Sequence, residues 1–407
     1  MARVYPFRAV RPQPEQAASV AAVPYDVVNR QEARALAEGR PLSFLHVSRA
    51  EIDLPPETEP YSDVVYRTAV TNFARLRTAA PLVQEKDASL YLYRLRMGSH
   101  EQTGVAACYS LDEYDQGTIV RHERTRKDKE DDRTRHMLEL SAQTGPVFLT
   151  YPASPAIEAI ANRVTAGEAL IDFTAEDGVR HTLWRPPAQD AQALVEAFEG
   201  VPRLYIADGH HRAASAWRAR QELNTRSSNG THRGADTFLA VAFPHVQTQI
   251  LPYHRLVKDL NGHTPASLLA ALEERCGVAP GNDTPRGKGR VTMYLDGRWH
   301  ELSLRVPSDA APPGDRLDVS LLQDQVLGPL LRVEDPRVDR RIEFVGGIRG
   351  PAELRRLVEN GAAAVAFAMH PVSVEELMAI SDAGGIMPPK STWFEPKLRD
   401  GLLVHLI

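Results

Sequence analysis

Short apolar runs separated by polar segments recur along the whole chain and set its predicted secondary structure. Runs of four to eight apolar or alternating residues are typical of β-strands. Between them lie segments with helical periodicity, the first of which Asn29 caps. Strands that alternate with helices in this way predict an α/β (α+β) fold. In the first 245 residues the clearest predicted strands are 43–48, 89–95, 105–111, 146–151, 204–207 and 237–243, and the clearest helices are 66–76, 156–166 and 191–198.

The alternation continues to residue 407, and a chain of this length has room for two or three domains. We predict an N-terminal α/β domain over 1–100, a central domain over 101–245 and a C-terminal α/β domain over 246–407. Elements predicted for the last of these are helices over 267–276, 352–359 and 374–382, a hairpin of 290–295 with 301–305, and a strand over 363–369.

Composition and charge narrow the classes of protein that fit this pattern. The sequence is 43% hydrophobic and 25% charged with a net charge of −5, which is ordinary for a globular protein and disfavours a broad nucleic-acid-binding surface. Cys108 and Cys276 form no C-x-x-C pair, so neither a zinc cluster nor a disulfide framework is indicated. Without an apolar run of about 18 residues or a hydrophobic N-terminal signal, we expect a cytoplasmic protein with no membrane contact.

The most specific chemistry lies in the segment Asp208-Gly209-His210-His211-Arg212. It follows a predicted strand and opens a predicted helix, and such a turn directs free backbone N–H groups at an anion. Gly209 permits close approach of a ligand, while Arg212 and both histidines can donate to phosphate oxygens. Asp208 would repel phosphate unless a cation intervened, so the set predicts a nucleotide phosphate site with Mg²⁺ at Asp208. The alternative is a capped helix with a satisfied Asp–His–Arg cluster.

A second candidate is the block over 121–136, which is nearly all charged. One interpretation is a solvated helix with i,i+4 ion pairs, such as Arg126 with Glu130 and Lys127 with Asp131.

The other interpretation is that this block lies over a charged ligand, because a helix charged on every face has no apolar stripe to bury. Glu123, beside His122, is then the candidate general base, since a carboxylate among cations stays ionised and can accept a hydroxyl proton. Lys127, Lys129 and Arg133 can balance phosphate charge.

Two further polar segments each keep two interpretations. Tyr25 and Asp26 either form a turn after Pro24 or reach the active site from the N-terminal domain. The cluster over 251–255 either contacts a nucleotide or serves as a hinge between domains.

Three segments resemble the free serine kinases of the ParB/sulfiredoxin-like fold. Residues 208–212 are similar to the motif that holds the nucleotide phosphates there, and His122-Glu123 resembles the short segment with the catalytic glutamate. The run from 374–377 to 389–392 is similar to the C-terminal helix and the substrate loop of those kinases. A fourth, shorter similarity lies at 344–347.

The chain is also identified, along its whole length, as a member of a bacterial family of proteins of unknown function. The residues that carry this resemblance are 23–28, 43–47 and 388–392.

The kinase resemblance implies a ParB/sulfiredoxin-like nucleotide-binding core over 101–245 and a C-terminal substrate domain. It implies phosphoryl transfer from ATP or ADP, with Mg²⁺, to the hydroxyl of L-serine or a related amino acid or amino alcohol. Glu123 would be the base and Asp208 a metal or hydroxyl contact. The candidate nucleotide contacts are Gly209, His210, His211, Arg212, His122, Lys127 and Arg133, and the candidate substrate contacts are Lys390, Ser391 and Thr392.

The chain departs from the kinases in three places. The stretch between Glu123 and Asp208 is longer, and the first hundred residues have no clear counterpart. Where the kinase loop continues with arginine and histidine, this chain has Trp393 and Phe394, which cannot clamp a carboxylate as an arginine does. A different alcohol or amino alcohol is therefore an alternative acceptor.

Two other classes of function are kept as alternatives. A nucleotide-gated regulator like the DNA-partition proteins of this fold would need a basic DNA-binding helix, and none is evident in this acidic sequence. A redox enzyme of the sulfiredoxin kind would need a cysteine beside the phosphate turn, where this chain has His210. The sequence leaves the acceptor, the choice of ATP or ADP, and a monomer or homodimer open.

Overall fold

The computed structural model describes residues 1–79, 82–226 and 233–407. The chain forms two compact units, the first made of residues 1–248 with 396–407 and the second of residues 249–395. The second unit is therefore an insertion, because the chain returns to the first unit after leaving it. Strands from the ranges predicted as separate domains, 1–100 and 101–245, share one sheet in the first unit.

Elements are numbered in chain order. In the described ranges the helices of the first unit are α1 (Ala17–Val20), α2 (Arg30–Ala37), α3 (Leu45–Ser48), α4 (Asp63–Ala79), α5 (Leu111–Gln116), α6 (Lys127–Leu140), α7 (Pro155–Thr165), α8 (Ala188–Phe198) and α9 (His210–Arg226). Its strands are β1 (Val4–Tyr5), β2 (Val10–Arg11), β3 (Val83–Gln84), β4 (Tyr91–Met97), β5 (His100–Ser110), β6 (Ile119–Val120), β7 (Ala142–Gln143), β8 (Val147–Tyr151), β9 (Ile171–Thr174), β10 (Arg180–Trp184), β11 (Leu204–Asp208), β12 (Thr237–Pro244) and β21 (His405–Leu406).

A nine-stranded mixed sheet forms the centre of the first unit. Its strand order is β6-β11-β8-β12-β5-β4-β10-β9, with β1 paired to β5. The pairs β11–β6 and β12–β8 are parallel, whereas β11 runs antiparallel to β8. Helices α7, α8 and α9 contribute buried apolar residues to the same core as the sheet. On α9 these residues are Ala213, Ala216 and Ala219, whose small side chains let the helix lie close to its neighbours.

A second apolar core in the first unit includes residues of α2, α3 and α4. The strand predicted over 43–48 is wrong, because Leu45–Ser48 forms the helix α3. Phe44, Leu45 and Val47 are all buried in one cluster, and a helical turn brings such closely spaced positions together where a strand would separate them.

Most other predicted elements of the first unit are confirmed. Strands occur at β4, β5, β8, β11 and β12, and helices at α4, α7 and α8. The predicted cap of α2 is present, with Asn29 Oδ1 accepting from Glu32 N–H at 2.9 Å and Glu32 Oε2 accepting from Asn29 N–H at 2.9 Å.

The second unit has its own sheet and core. Its helices are α10 (Pro265–Arg275), α11 (Asp318–Leu322), α12 (Gly350–Glu359) and α13 (Val374–Asp382). Its strands are β13 (Ile250–Leu251), β14 (Tyr253–Val257), β15 (Gly277–Pro280), β16 (Arg290–Leu295), β17 (Arg298–Ser303), β18 (Ile342–Gly346), β19 (Val365–Ala368) and β20 (Trp393–Phe394).

An antiparallel six-stranded sheet in the order β15-β17-β16-β19-β14-β18 forms the second unit, and β13 pairs separately with β20. The predicted hairpin is confirmed as β16 with β17. No helix within the described ranges is long and apolar enough to cross a bilayer.

Candidate active site

The turn after β11 places Asp208 and Gly209 at the N-terminus of α9. Gly209 has a φ of 94°, which side-chain-bearing residues rarely adopt, and a Cβ there would lie 2.8 Å from Arg212 Nε. Ala213 N–H donates to the Gly209 carbonyl at 3.1 Å. The N–H groups of residues 210–212 come before this bond and have no helical acceptor, which is the arrangement that binds anions at helix N-termini.

Two cations hold Asp208 ionised. Lys397 Nζ at 3.4 Å and Arg212 Nη2 at 3.2 Å both contact its Oδ2. Burial acts to raise the pKa of Asp208, but the charges of Lys397 and Arg212 outweigh it and lower this pKa below its usual range. The carboxylate is therefore anionic at neutral pH, and its Oδ1 lies outside both ion pairs.

Arg212 is buried and directs its donors into the protein. Its Nη1 donates to the Pro146 carbonyl, and its Nη2 lies 3.7 Å from Asp26 Oδ2 as well as close to Asp208. Burial acts to lower the pKa of Arg212, but Asp26, Asp208 and Asp400 together raise it. The predicted phosphate contact is thus a guanidinium that is already engaged by carboxylates and packed against Gly209.

The two neighbouring histidines of α9 each accept a backbone hydrogen bond. His210 Nε2 accepts from His122 N–H at 3.4 Å, and His211 Nε2 accepts from Arg126 N–H at 3.0 Å. Burial, with smaller effects of nearby charges, lowers the pKa of His210 well below its usual range, so the ring is neutral. Since Nε2 is an acceptor, the ring proton is assigned to Nδ1, which lies 3.6 Å from Glu123 Oε2. The structure thereby joins Glu123 and His210, two of the predicted residues.

His122 is buried against His210, with ring centroids 4.4 Å apart and planes at 81°. Neither of its ring nitrogens meets a hydrogen-bond partner in the part of the chain that the structure describes. Burial lowers the pKa of His122 to about 4, so this ring is also neutral near pH 7. A buried polar group without a partner carries a free-energy cost that a ligand or a water molecule could remove.

The predicted charged block divides into a solvated start and a buried end. The expected pair of Lys127 with Asp131 is confirmed at 2.8 Å, and Lys127 is exposed. The expected pair of Arg126 with Glu130 is wrong: Arg126 contacts Asp128 at 2.8 Å.

Arg133, in contrast, is largely buried on α6. It contacts Asp132 at 2.8 Å and donates to the Ser48 carbonyl at 3.2 Å. Its guanidinium lies 4.3 Å from the ring centroid of Tyr25. The sequence allowed Tyr25 and Asp26 either a role in a turn or a place in the active site. In the structure Tyr25 contacts Arg133 and Asp26 contacts Arg212, and both arginines belong to the predicted site.

Sequence reasoning missed Lys397 and Asp400. Asp400 is 2% exposed, and its Oδ1 has no hydrogen-bond partner among the described residues. Burial raises the pKa of Asp400 to about 7, although Arg212 opposes the rise. A signal was present, because charged residues at 397, 399 and 400 directly precede the apolar run 402–404, which is buried.

The predicted substrate residues Lys390, Ser391 and Thr392 belong to the second unit. Lys390 has a φ of 54° and its Nζ lies 5.5 Å from the ring centroid of Tyr253. Ser391 is buried, and its hydroxyl donates to the Pro388 carbonyl at 2.6 Å.

A protein-only metal centre is not evident in the described ranges, where no group of three or more His, Cys, Asp and Glu side chains is arranged to hold an ion. Mg²⁺ in nucleotide enzymes, however, commonly uses one or two carboxylates and completes its shell with phosphate oxygens and water. Asp208 fits that mode, since it is ionised and keeps Oδ1 outside its two ion pairs. Cys108 is fully buried and its thiol pKa is raised by burial, which does not suit redox chemistry.

Comparison with known proteins gives one family and several distant structural neighbours. The family described as "Protein of unknown function (DUF1015)" matches residues 4–320. Free serine kinase in complex with AMP is 13% identical, with a TM-score of 0.34 over 74% of this chain and 91% of that chain. A mutant free serine kinase in complex with ADP is 15% identical, with a TM-score of 0.35 over 74% and 92%.

SbnI with a C-terminal truncation, from Staphylococcus aureus, is 13% identical to this chain, with a TM-score of 0.38 over 74% of this chain and 87% of that one. None of the curated proteins matches the sequence.

Proposed function

The chain belongs to the DUF1015 family of proteins of unknown function, and we propose that it is a Mg²⁺-dependent kinase that phosphorylates a small hydroxyl compound. The observation that carries the proposal is the cluster at the start of α9. There an ionised Asp208, the cation of Lys397 and the first N–H groups of the helix, which have no helical acceptor, lie beside the pair of Glu123 and His210. This set combines charge for phosphate with a candidate base, as phosphoryl transfer requires.

Glu123 is the proposed general base. It is half exposed and can therefore meet a small substrate, and its carboxylate lies 3.6 Å from Nδ1 of the neutral His210 ring. The acceptor hydroxyl gives its proton to this carboxylate as the acceptor oxygen bonds to the terminal phosphorus. The bond from that phosphorus to the nucleotide oxygen breaks, and its electron pair leaves with the shortened nucleotide.

The phosphates would lie at the N-terminus of α9. Backbone N–H groups of residues 210–212 would donate to them, and Lys397 would offset part of their charge. Arg212 is assigned a positioning role, because its donors already reach Pro146, Asp208 and Asp26. The nucleotide is ATP or ADP. Asp208 Oδ1 would hold Mg²⁺ together with phosphate oxygens, and the bound ion would supply charge neutralisation.

The deciding experiment combines a transfer assay with one substitution. Purified protein, Mg²⁺ and either ATP or ADP would be incubated with L-serine, D-serine, threonine, homoserine and small amino alcohols, and products read by mass spectrometry. We expect one phosphorylated acceptor, and Glu123→Gln should lower its formation by about 100-fold or more while nucleotide binding persists.

Glu139→Gln is the matched control, because Glu139 is an exposed glutamate of α6 whose carboxylate forms an ion pair with Arg135 at 3.6 Å, away from the proposed site residues. It should leave turnover unchanged. Normal turnover by Glu123→Gln would remove Glu123 from the mechanism. A wild-type protein that neither binds a nucleotide by calorimetry nor forms any product would refute the kinase proposal.

A further inference from the structure

Arg255 is a buried cation without an acidic partner among the residues that the structure describes. It lies on β14 and is only 4% exposed. Its Nη1 donates to the Tyr253 carbonyl and its Nη2 to the Pro389 carbonyl at 3.5 Å, and it forms no ion pair within the described ranges. Burial lowers the pKa of Arg255 to about 10, with Tyr253 opposing the shift. Buried arginines are nearly always paired with carboxylates or phosphates, because an uncompensated charge is costly to bury.

Lys390 is a second cation on the same patch of the second unit. Its Nζ lies over the ring of Tyr253, and its backbone neighbour Pro389 accepts from Arg255. Lys390 likewise forms no ion pair in the part of the chain that is described. Its φ of 54° is a conformation that glycine adopts at lower cost. Strain of this kind persists where the surroundings or a function require it.

Aromatic rings and glycines build the frame around these two cations. The Arg255 guanidinium lies 5.3 Å from the ring centroid of Phe344, its direct partner on β18. Tyr253 packs edge-on against Trp393, with centroids 5.2 Å apart. A Cβ on Gly346 would lie 2.9 Å from the Trp393 ring, so this glycine is needed for the ring to pack there. The segment at 344–347 and the polar cluster at 251–255 are thereby joined in one place.

We infer that Arg255 and Lys390 form a binding site for the anionic oxygen group of a small molecule, either a carboxylate or a phosphoryl group. Such a group would supply the negative charge that the buried guanidinium lacks, and it would accept from guanidinium N–H groups other than the two that donate to Tyr253 and Pro389. The anion site depends on the second unit alone. The assignment of its ligand as the kinase acceptor rests on the proposed function.

The test is calorimetry on the full chain without nucleotide. The probes are L-serine, ethanolamine, phosphoethanolamine and inorganic phosphate. Ethanolamine has the amine and hydroxyl of serine but no carboxylate, and phosphoethanolamine adds a phosphoryl group to it. We expect at least one oxyanion probe to bind and ethanolamine to bind at least 10-fold more weakly. Serine binding alone would identify a carboxylate site, whereas binding of the phosphorylated probes would identify a phosphoryl site.

Arg255→Gln and Lys390→Gln should each weaken the binding of that oxyanion probe at least 10-fold. Lys390 is exposed, so its variant remains informative even if Arg255→Gln fails to fold, which circular dichroism would reveal. Arg298→Gln, a change at an exposed arginine on β17, is the matched control and should bind normally.

Failure of this inference can be told apart from failure of the kinase proposal. Binding that survives in both variants, or no binding of any oxyanion probe, overturns the anion site whatever the transfer assay shows. If the wild-type protein binds an oxyanion, both variants lose that binding, and no phosphoryl transfer is found, the anion site is supported. Only the assignment of its ligand as a kinase acceptor is then removed.

Discussion

Gly209 is the residue at which one added methyl group would disturb the candidate site most directly. Its φ of 94° disfavours any side chain, and the space that a Cβ would take is filled by the Arg212 guanidinium. That guanidinium also contacts Asp208 and Asp26, so a shift of Arg212 would alter the position of both carboxylates.

We therefore expect Gly209→Ala to lower the free energy of unfolding by about 1–3 kcal/mol and to weaken nucleotide binding. Urea unfolding and calorimetry would measure the two effects. Gly117→Ala is the control, because Gly117 has a φ of 80° but no atom within 4 Å of its added Cβ. If the two substitutions lower the free energy of unfolding by the same amount, the contact with Arg212 adds nothing to the effect of backbone strain.

For single residues, the sequence predicts features that depend only on neighbours a few positions away along the chain. The strand, the glycine and the helix start follow one another within a few residues, so the turn at Asp208 was foreseeable. Lys397 lies 189 residues from Asp208, and no local pattern pairs them. The inward direction of Arg212 was also not foreseeable, since it depends on Asp26 and the Pro146 carbonyl.

The helix α6 connects the candidate site to the N-terminal helices, and it packs against both α9 and α4. Its first turns carry the predicted charges, whereas His136, Met137 and Leu140 near its end are buried. The interpretation as a wholly solvated helix stopped at residue 136 and so excluded most of the apolar side of the helix. His136 Nε2 lies 3.0 Å from the Val47 carbonyl of α3 and donates to it.

This contact predicts an acid-sensitive junction between α6 and α3. Burial, with Arg133 adding to it, lowers the pKa of His136 to about 4 in the folded protein, against an unfolded value of about 6.5. Between these values the unfolded chain binds a proton that the folded chain does not, so stability falls as the pH falls through this window. This one residue accounts for up to about 3 kcal/mol of that loss.

The measurement is the urea midpoint of wild type and His136→Gln near pH 7 and near pH 5. We expect the variant to be less stable at neutral pH, with the difference narrowing in acid because the variant has no ring to protonate. The control is His100→Gln, since the His100 ring is partly exposed and hydrogen-bonds the side chain of Gln102, a residue of the same strand. A difference that stays constant with pH would contradict the assignment of a neutral His136.

The order of helices and strands along the chain was predicted better than the pairing of the strands in the sheets. Apolar periodicity located most strands and helices of both units, because it reports which side of an element is buried. It was wrong at 43–48, where three buried residues in four positions suit a short helix as well as a strand. Sheet order, in contrast, depends on contacts between distant residues, and periodicity does not contain it.

For the whole molecule, the main feature is the insertion of the second unit into the first. The two ends of the inserted unit are adjacent, because Glu395 N–H donates to the Gln249 carbonyl at 3.2 Å. Each unit also has its own apolar core. A short linker can therefore replace residues 249–395 without stretching the first unit.

We expect a chain of residues 1–248, a short glycine–serine linker and residues 396–407 to fold and to bind nucleotide without transferring phosphate to an anionic acceptor. Circular dichroism, thermal unfolding and calorimetry would test this. The control is a chain of residues 1–395, which retains the second unit but lacks Lys397, Asp400 and the buried run 402–404. That control should be far less stable than the linked chain. If instead the control is stable and the linked chain is unfolded, the first unit depends on residues 249–395 and not on residues 396–407.

The returning segment also has a consequence for synthesis on the ribosome. Val10 pairs with Val404, Ala22 pairs with Asp400, and β7 pairs with β21. The backbone of residues 10 and 22 and of β7 can therefore be paired only after residues 400–406 have been synthesised. Because exposed strand edges and apolar surface promote aggregation, the nascent chain has to be protected by chaperones or by slow, reversible early folding until translation has passed residue 404.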